Sequence, residues 1–264
     1  MSNDIKKIAV VIPAHNEEKR IGRTLKNYLE YFGELKKSKK LDFVIVVVLN
    51  ACSDNTRKVV EKFLCDELVI LEFERGGKGF AIIEGFKWAI ANNWDLIGFI
   101  DADMASPPNS FYGLIKNLRN YDGVIADRWD ANSKITPRQS LFRRFISRGY
   151  NFIVRSLFFF NHKDTQCGCK LFKKKLLEKV VPKLGASEWG FDVDLLFYSR
   201  REKAKIKSIP TEWHDEKGSK VNLKKTPITM FLSAIRLRLV HSPCNFMVRV
   251  YSILPAKLKF HRMF

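Results

Sequence analysis

Nearly unbroken apolar runs recur along the first half of the chain: Ile8–Ile12, closed by Pro13, then Phe43–Leu49, Leu68–Phe73, Leu96–Ile100 and the shorter Val124–Ala126. Runs of this length, rich in Val and Ile and without polar alternation, predict strands buried on both faces, as in the middle of a parallel sheet. The segments between them read as helices. Over Glu17–Leu35 the apolar residues Ile21, Leu25, Tyr28, Leu29 and Phe32 fall at helical spacing, and further helices are predicted over Thr56–Leu64, from Gly76–Gly79 to Ala91, and from Pro107-Pro108 onward. Strand and helix in alternation predict an α/β fold, a Rossmann-like, mostly parallel sheet with helices on both faces. Ligands of such sheets bind beyond the carboxyl ends of the strands. Those ends carry Pro13–Glu17, Asn50–Thr56, Arg75–Lys78, Asp101–Asp103 and Asp127-Arg128. No repeat or low-complexity linker interrupts the chain. The simplest plan is one domain over residues 1–216 and an amphipathic extension over 217–264.

Composition narrows the class. With 264 residues, 46% hydrophobic and 12% aromatic, the chain is too apolar for a disordered protein and long enough for a full core. Its formal charge is +19, which calls for an anionic partner. The excess is concentrated. Residues 131–163 hold seven basic residues and no acid, and residues 217–264 hold ten and no acid. Both stretches interleave Arg and Lys with Phe, Leu and Ile, as in LFRRFISRGYNFIVRSLFFF. That pattern suits a helix lying at an anionic membrane surface, and it also suits a core-packed helix with a solvated basic stripe. Nucleic acid is the third candidate for such charge, but the acids Asp101 and Asp103 occupy the mouth where a reading element would have to sit, so no nucleic-acid partner is expected. The five cysteines lack CxxC spacing and read as reduced thiols. The N-terminus has no signal-peptide pattern, and no apolar stretch approaches the roughly 18–20 residues of a membrane span. A cytoplasmic protein, peripheral on the cytosolic face of a membrane, is the expectation.

The chemistry centres on Asp101-Ala102-Asp103. Two carboxylates separated by one small residue, directly after a buried strand, both reach one site at the strand end. Hard divalent cations take oxygen ligands, and Mg²⁺ commonly completes its shell with substrate phosphate. A nucleoside diphosphate is the matching ligand. Gly76–Gly79 with Lys78 lacks the GxxxxGK[ST] pattern of a P-loop but places a helix N-terminus where phosphate would be favoured. The five histidines and the cysteines show no zinc spacing. Trp189 and Trp213 read as core residues or as sugar platforms.

On VVIPAHNEEKRI, NACSDNT, GGKGFAIIEGF and DADMASPP, the chain resembles family 2 glycosyltransferases, nucleotide-sugar enzymes of the A-type fold. DTQCGCKLF, EWGFDVDLLF and TEWHDEKGSKV are similar to the dolichyl-phosphate β-glucosyltransferase branch of that family, sister to the dolichyl-phosphate mannose synthases. The resemblance implies an inverting sugar transfer from a nucleotide-sugar donor to a polyprenyl (dolichyl) phosphate acceptor, with a divalent metal, Mg²⁺ or Mn²⁺. It implies base and ribose contacts from Pro13, His15 and Glu17, and a diphosphate–metal pair in Asp101 and Asp103, with Ala102 between them. Arg128 would meet the sugar or diphosphate, Lys220 would close over the phosphates, and Lys78 would lie near them. Asp164 would face donor sugar and acceptor, with Asp192 as a second catalytic acid, although Asp192 also reads as an acid favouring a helix dipole. Lys170 would contact the acceptor phosphate.

Two positions depart from the family pattern. Asn50 stands where a paired Asp-Asp is common. Its amide both donates and accepts, which suits uracil and favours UDP-glucose over GDP-mannose. Ala105 replaces a polar ligand frequent in mannose synthases. A soluble sugar or protein acceptor is the alternative within enzymes, and a basic nucleic-acid-binding protein the alternative outside them.

Overall fold

The computed structural model describes residues 6–137, 141–185 and 190–214, with the isolated positions 235, 238 and 239. Lys220, Trp189 and nearly all of the 217–264 extension lie outside the described residues. The elements run β1 (Lys7–Ala14), α1 (Ile21–Lys37), β2 (Asp42–Asn50), α2 (Thr56–Glu61), β3 (Leu68–Phe73), α3 (Lys78–Ala91), β4 (Leu96–Ile100), α4 (Pro108–Leu118), β5 (Gly123–Asp127), β6 (Lys134–Thr136), α5 (Leu141–Phe158), β7 (Cys169–Lys173), α6 (Lys174–Val180), α7 (Phe191–Arg201), β8 (Ile206–Pro210) and β9 (Glu212–His214).

A seven-stranded sheet has the order β3-β2-β1-β4-β7-β5-β8, and β6 pairs with β9 in a small second sheet. The apolar runs are its central strands. Along β1, Ile8, Val10 and Ile12 face one buried cluster while Ala9 and Val11 face the other. Both faces are thus covered, which is why the run shows no polar alternation. Burying each such aliphatic side chain is worth roughly 1.5–3 kcal/mol. On the first face α1 packs Tyr28 and Phe32 against Phe111 of α4, with ring centroids 6.5 and 6.1 Å apart.

The structure refines the sequence reading in three places. Helix α1 starts at Ile21 rather than Glu17, because the Glu17 N–H donates to Thr56 Oγ1 (2.7 Å) and ties that turn to the next loop. Helix α2 ends at Glu61, short of Leu64. Four strands, β6 to β9, are not among the apolar runs that the sequence marks, and β7 bears most on the site. Strand β7 lies antiparallel between β4 and β5, with Ile100 opposite Cys169 and Ile125 opposite Lys170. Its direction brings its first residue to the carboxyl ends of its neighbours, so residues 164–168 join the loops at that edge.

Candidate active site

Three groups of residues meet at the carboxyl edge of the sheet. The first is the loop after β4. Asp101 and Asp103 sit on it, and α1 braces it: Thr24 Oγ1 donates to the Ala102 carbonyl (2.7 Å) and the Tyr28 hydroxyl to the Ser106 carbonyl (2.8 Å). Ala102 itself is buried, and Asp103 Oδ1 accepts the Ala105 N–H (3.1 Å). Lys78, the first residue of α3, is ion-paired with Asp101. Gly77, with φ of 118°, makes the left-handed turn that opens that helix.

Burial, and then the neighbouring Asp101 charge, push the Asp103 carboxyl up to about 6. The two acids therefore need positive charge beside them to be ionised together. Lys78 supplies it to Asp101, and Arg20 Nη1 stands 3.7 Å from Asp103 Oδ2. Among the described residues no cluster of three or more His, Cys, Asp or Glu side chains could hold a metal ion. A divalent cation held by Asp101 and Asp103 would complete its shell with ligand oxygens, as Mg²⁺ commonly does.

The second group lines the ends of β1 and β2. His15 Nδ1 lies 2.8 Å from the Asn50 carbonyl oxygen, and Asn16 Oδ1 accepts the Ser53 N–H (2.8 Å). Asn50 Oδ1 is buried with no hydrogen-bond partner among the described residues. Pro13 is buried in β1. Glu17 accepts both Nε (2.6 Å) and Nη2 (2.5 Å) of Arg20, the same arginine that reaches toward Asp103. Arg20 therefore links the two halves of the site. Sequence reasoning passed over it, although it stands within the VVIPAHNEEKRI run.

The third group comes from β5, β7 and α7. Arg128 forms a two-pronged pair with Asp164, Nε to Oδ2 at 2.6 Å and Nη2 to Oδ1 at 3.0 Å, and its guanidinium lies 4.8 Å over the Trp213 ring. Trp213 is thus a packing platform for an arginine. Asp164 is 0% exposed, and its oxygens also accept the N–H groups of Arg128 (3.2 Å) and Gln166 (3.1 Å). Burial alone would raise the Asp164 pKa, but the Arg128 guanidinium, the Lys170 charge and the Gln166 N–H hold it below the ordinary carboxylate value. Lys170, expected at an acceptor phosphate, is instead 0% exposed, ion-paired with Asp192 and donating to the Cys167 carbonyl (2.9 Å). Asp192 lies in the first turn of α7, where it favours the helix dipole as well as pairing with Lys170.

Gly168 is a second residue the sequence reading did not single out. A methyl group there would fall on the Asp101 carboxylate. Only glycine lets β7 pass so close behind the acid, and its place between Cys167 and Cys169 in a strand-entry motif was the available signal.

Residues 9–181 match the family described as Glycosyl transferase family 2. The human dolichyl-phosphate beta-glucosyltransferase is 30% identical over 232 residues, covering 82% of this chain and 70% of its own. The enzyme of that name from Saccharomyces cerevisiae is 29% identical over 256 residues, covering 89% and 75%. Among solved structures, glucosyl-3-phosphoglycerate synthase from Mycobacterium tuberculosis, in complex with Mn²⁺, UDP-glucose and glycerol 3-phosphate, superposes with a TM-score of 0.65 at 17% identity, covering 88% of this chain and 80% of that one. The likeness to that synthase is one of fold.

Proposed function

The chain belongs to glycosyl transferase family 2, and from that membership we propose that it transfers glucose from UDP-glucose to a polyprenyl (dolichyl) phosphate, inverting the anomeric configuration. The observation that carries the reading is the placement of Asp101 and Asp103 at a strand end beside Lys78, in a chain whose relatives over most of its length include dolichyl-phosphate beta-glucosyltransferases.

The residues divide the work. Pro13, His15, Glu17 and Asn50 hold base and ribose, and the unpartnered Asn50 Oδ1 matches the ring N–H of uracil. Asp101 and Asp103 would hold Mg²⁺ or Mn²⁺; the mycobacterial synthase, which shares the fold, is known in complex with Mn²⁺ and UDP-glucose. Such an ion supplies neutralisation of the leaving diphosphate. An acceptor phosphate oxygen, already anionic, attacks the anomeric carbon. The bond from that carbon to the diphosphate oxygen breaks, and its electron pair leaves on the nucleoside diphosphate. Arg128 offers its remaining guanidinium edge to the developing charge, and the role the family resemblance gives Lys220, which lies outside the described residues, is to neutralise the same charge. Asp164, with both oxygens used on Arg128, is a positioning residue. Asp192, held by Lys170, orients hydroxyls of donor or acceptor.

The acceptor is membrane lipid, so the domain over residues 1–216 works at an anionic membrane surface, on its cytosolic side, with the 217–264 extension lying along it. No helix of the described residues is long and apolar enough to cross a membrane. Product analysis tests the assignment. Incubation with UDP-glucose, Mn²⁺ and dolichyl phosphate should yield β-linked glucosyl phosphate on the lipid and free UDP. Transfer from GDP-mannose in place of UDP-glucose, or to a soluble acceptor in place of lipid, would overturn it.

A further inference from the structure

A cavity of about 290 Å³ opens beside α5, outside the carboxylate site, lined by Trp129, Arg148, Asn151, Phe152, Arg155 and Lys163. Among the described residues every charged side chain on its wall is cationic, and no acid lines it. Arg148 lies over the Trp129 ring, 5.1 Å from the centroid, while the Trp129 main-chain N–H is fixed by Asp127 Oδ1 at 2.8 Å. Asn151 is already satisfied: its Oδ1 accepts the Thr165 N–H (3.1 Å) and hydroxyl (2.7 Å). Trp129 is not. Its indole Nε1 is buried with no hydrogen-bond partner among the described residues. The three cations of the wall have no counter-ion among its described lining residues, which calls for an anionic ligand.

The rim gives the ligand its second character. Phe152 is 69% exposed, Ile153 37% and Phe159 67%, all on or just after the helix that carries Arg148 and Arg155. Large apolar side chains held in water next to basic residues suit insertion among acyl chains, with the cations at headgroup level. We infer that this cavity seats the phosphate headgroup of an anionic glycerophospholipid, and that Phe152 enters the bilayer beside it. The site is separate from the donor diphosphate position at Asp101 and Asp103, and it rests on the reading that the enzyme works at a membrane surface.

Vesicle co-sedimentation needs no turnover and so tests the site apart from the transferase reading. The full chain should bind phosphatidylcholine vesicles containing phosphatidic acid, and Arg148→Gln with Lys163→Gln should weaken that binding at least about tenfold. Lys39→Gln with Lys40→Gln, which removes the same charge from the exposed turn before β2, should change it less than about twofold. Equal losses in the two pairs would overturn the inference, since binding would then follow net charge. A tryptophan-fluorescence titration, with Trp129→Phe as the blank, separates the sources of phosphate. Short-chain phosphatidic acid should saturate the Trp129 signal at a concentration at least about tenfold lower than inorganic phosphate does. Equal potency would make the cavity a site for soluble phosphate. A response to polyprenyl phosphate but not to phosphatidic acid would make it the acceptor's own seat. Either result refutes the lipid-headgroup assignment. A chain that binds these vesicles through Arg148 and Lys163 yet transfers no sugar would refute the transferase reading and leave this inference standing.

Discussion

Asp101 and Gly168 meet back to back where β4 runs beside β7, so closely that a side chain at 168 would occupy the space of the Asp101 carboxylate. The acid is thereby fixed from behind by backbone and held from the front by Lys78. Gly168→Ala should lower transfer at least about tenfold and destabilise the fold by about 1–3 kcal/mol through overpacking. Gly33→Ala in α1, where an added methyl meets nothing within 4 Å, should instead stabilise by about 0.4–1 kcal/mol. Thermal unfolding of the two variants, with transfer rates alongside, checks both.

The buried Lys170–Asp192 pair gives an expectation of the opposite kind. Lys170→Met leaves an uncompensated carboxylate and should cost about 3–5 kcal/mol in urea unfolding. Adding Asp192→Leu to it should recover part of that loss, because the orphaned charge goes too. Strict additivity of the two single changes would show that the pair does not act as a unit.

Arg128 and Asp164 should behave as one device. Arg128→Lys keeps the charge but loses the two-pronged geometry, and transfer should fall about 100-fold or more with little change in KM for the donor. Asp164→Asn should fall nearly as far, and the double variant no further than the worse single one. Independent effects would give Asp164 a role of its own at the sugar.

Asp103 sets a pH dependence. Its carboxyl, raised to about 6, carries a proton in the metal-free protein below that pH, so a divalent cation must displace the proton to bind. The apparent affinity for Mn²⁺ should be flat above about pH 6 and fall about tenfold per pH unit below it. The same crowding of charge means that Asp103→Asn should raise the metal-free melting temperature at pH 8 while abolishing transfer. A calorimetric pH series and a melting curve read the two effects.

The strands β1 to β4 were legible because each is an apolar run covered on both faces. Strand β7 was not, because Lys170, its second residue, breaks the apolar pattern. The charged partner Asp192, 22 positions away on another element, together with the Cys167 carbonyl makes a buried lysine tolerable there. The site was legible to the same degree. Asp101, Asp103 and Lys78 follow from strand ends and come together as read. The burial of Lys170 against Asp192, the closure of Asp164 by Arg128, and the bridge made by Arg20 depend on partners that only the folded chain brings near.

Radiolabel transfer from UDP-glucose into organic-extractable lipid, measured with Mn²⁺ and with or without dolichyl phosphate, tests the central claim most directly. Label should appear only when lipid and metal are both present, and should vanish in Asp103→Ala. Label that forms without dolichyl phosphate, or that survives in Asp103→Ala, would contradict it.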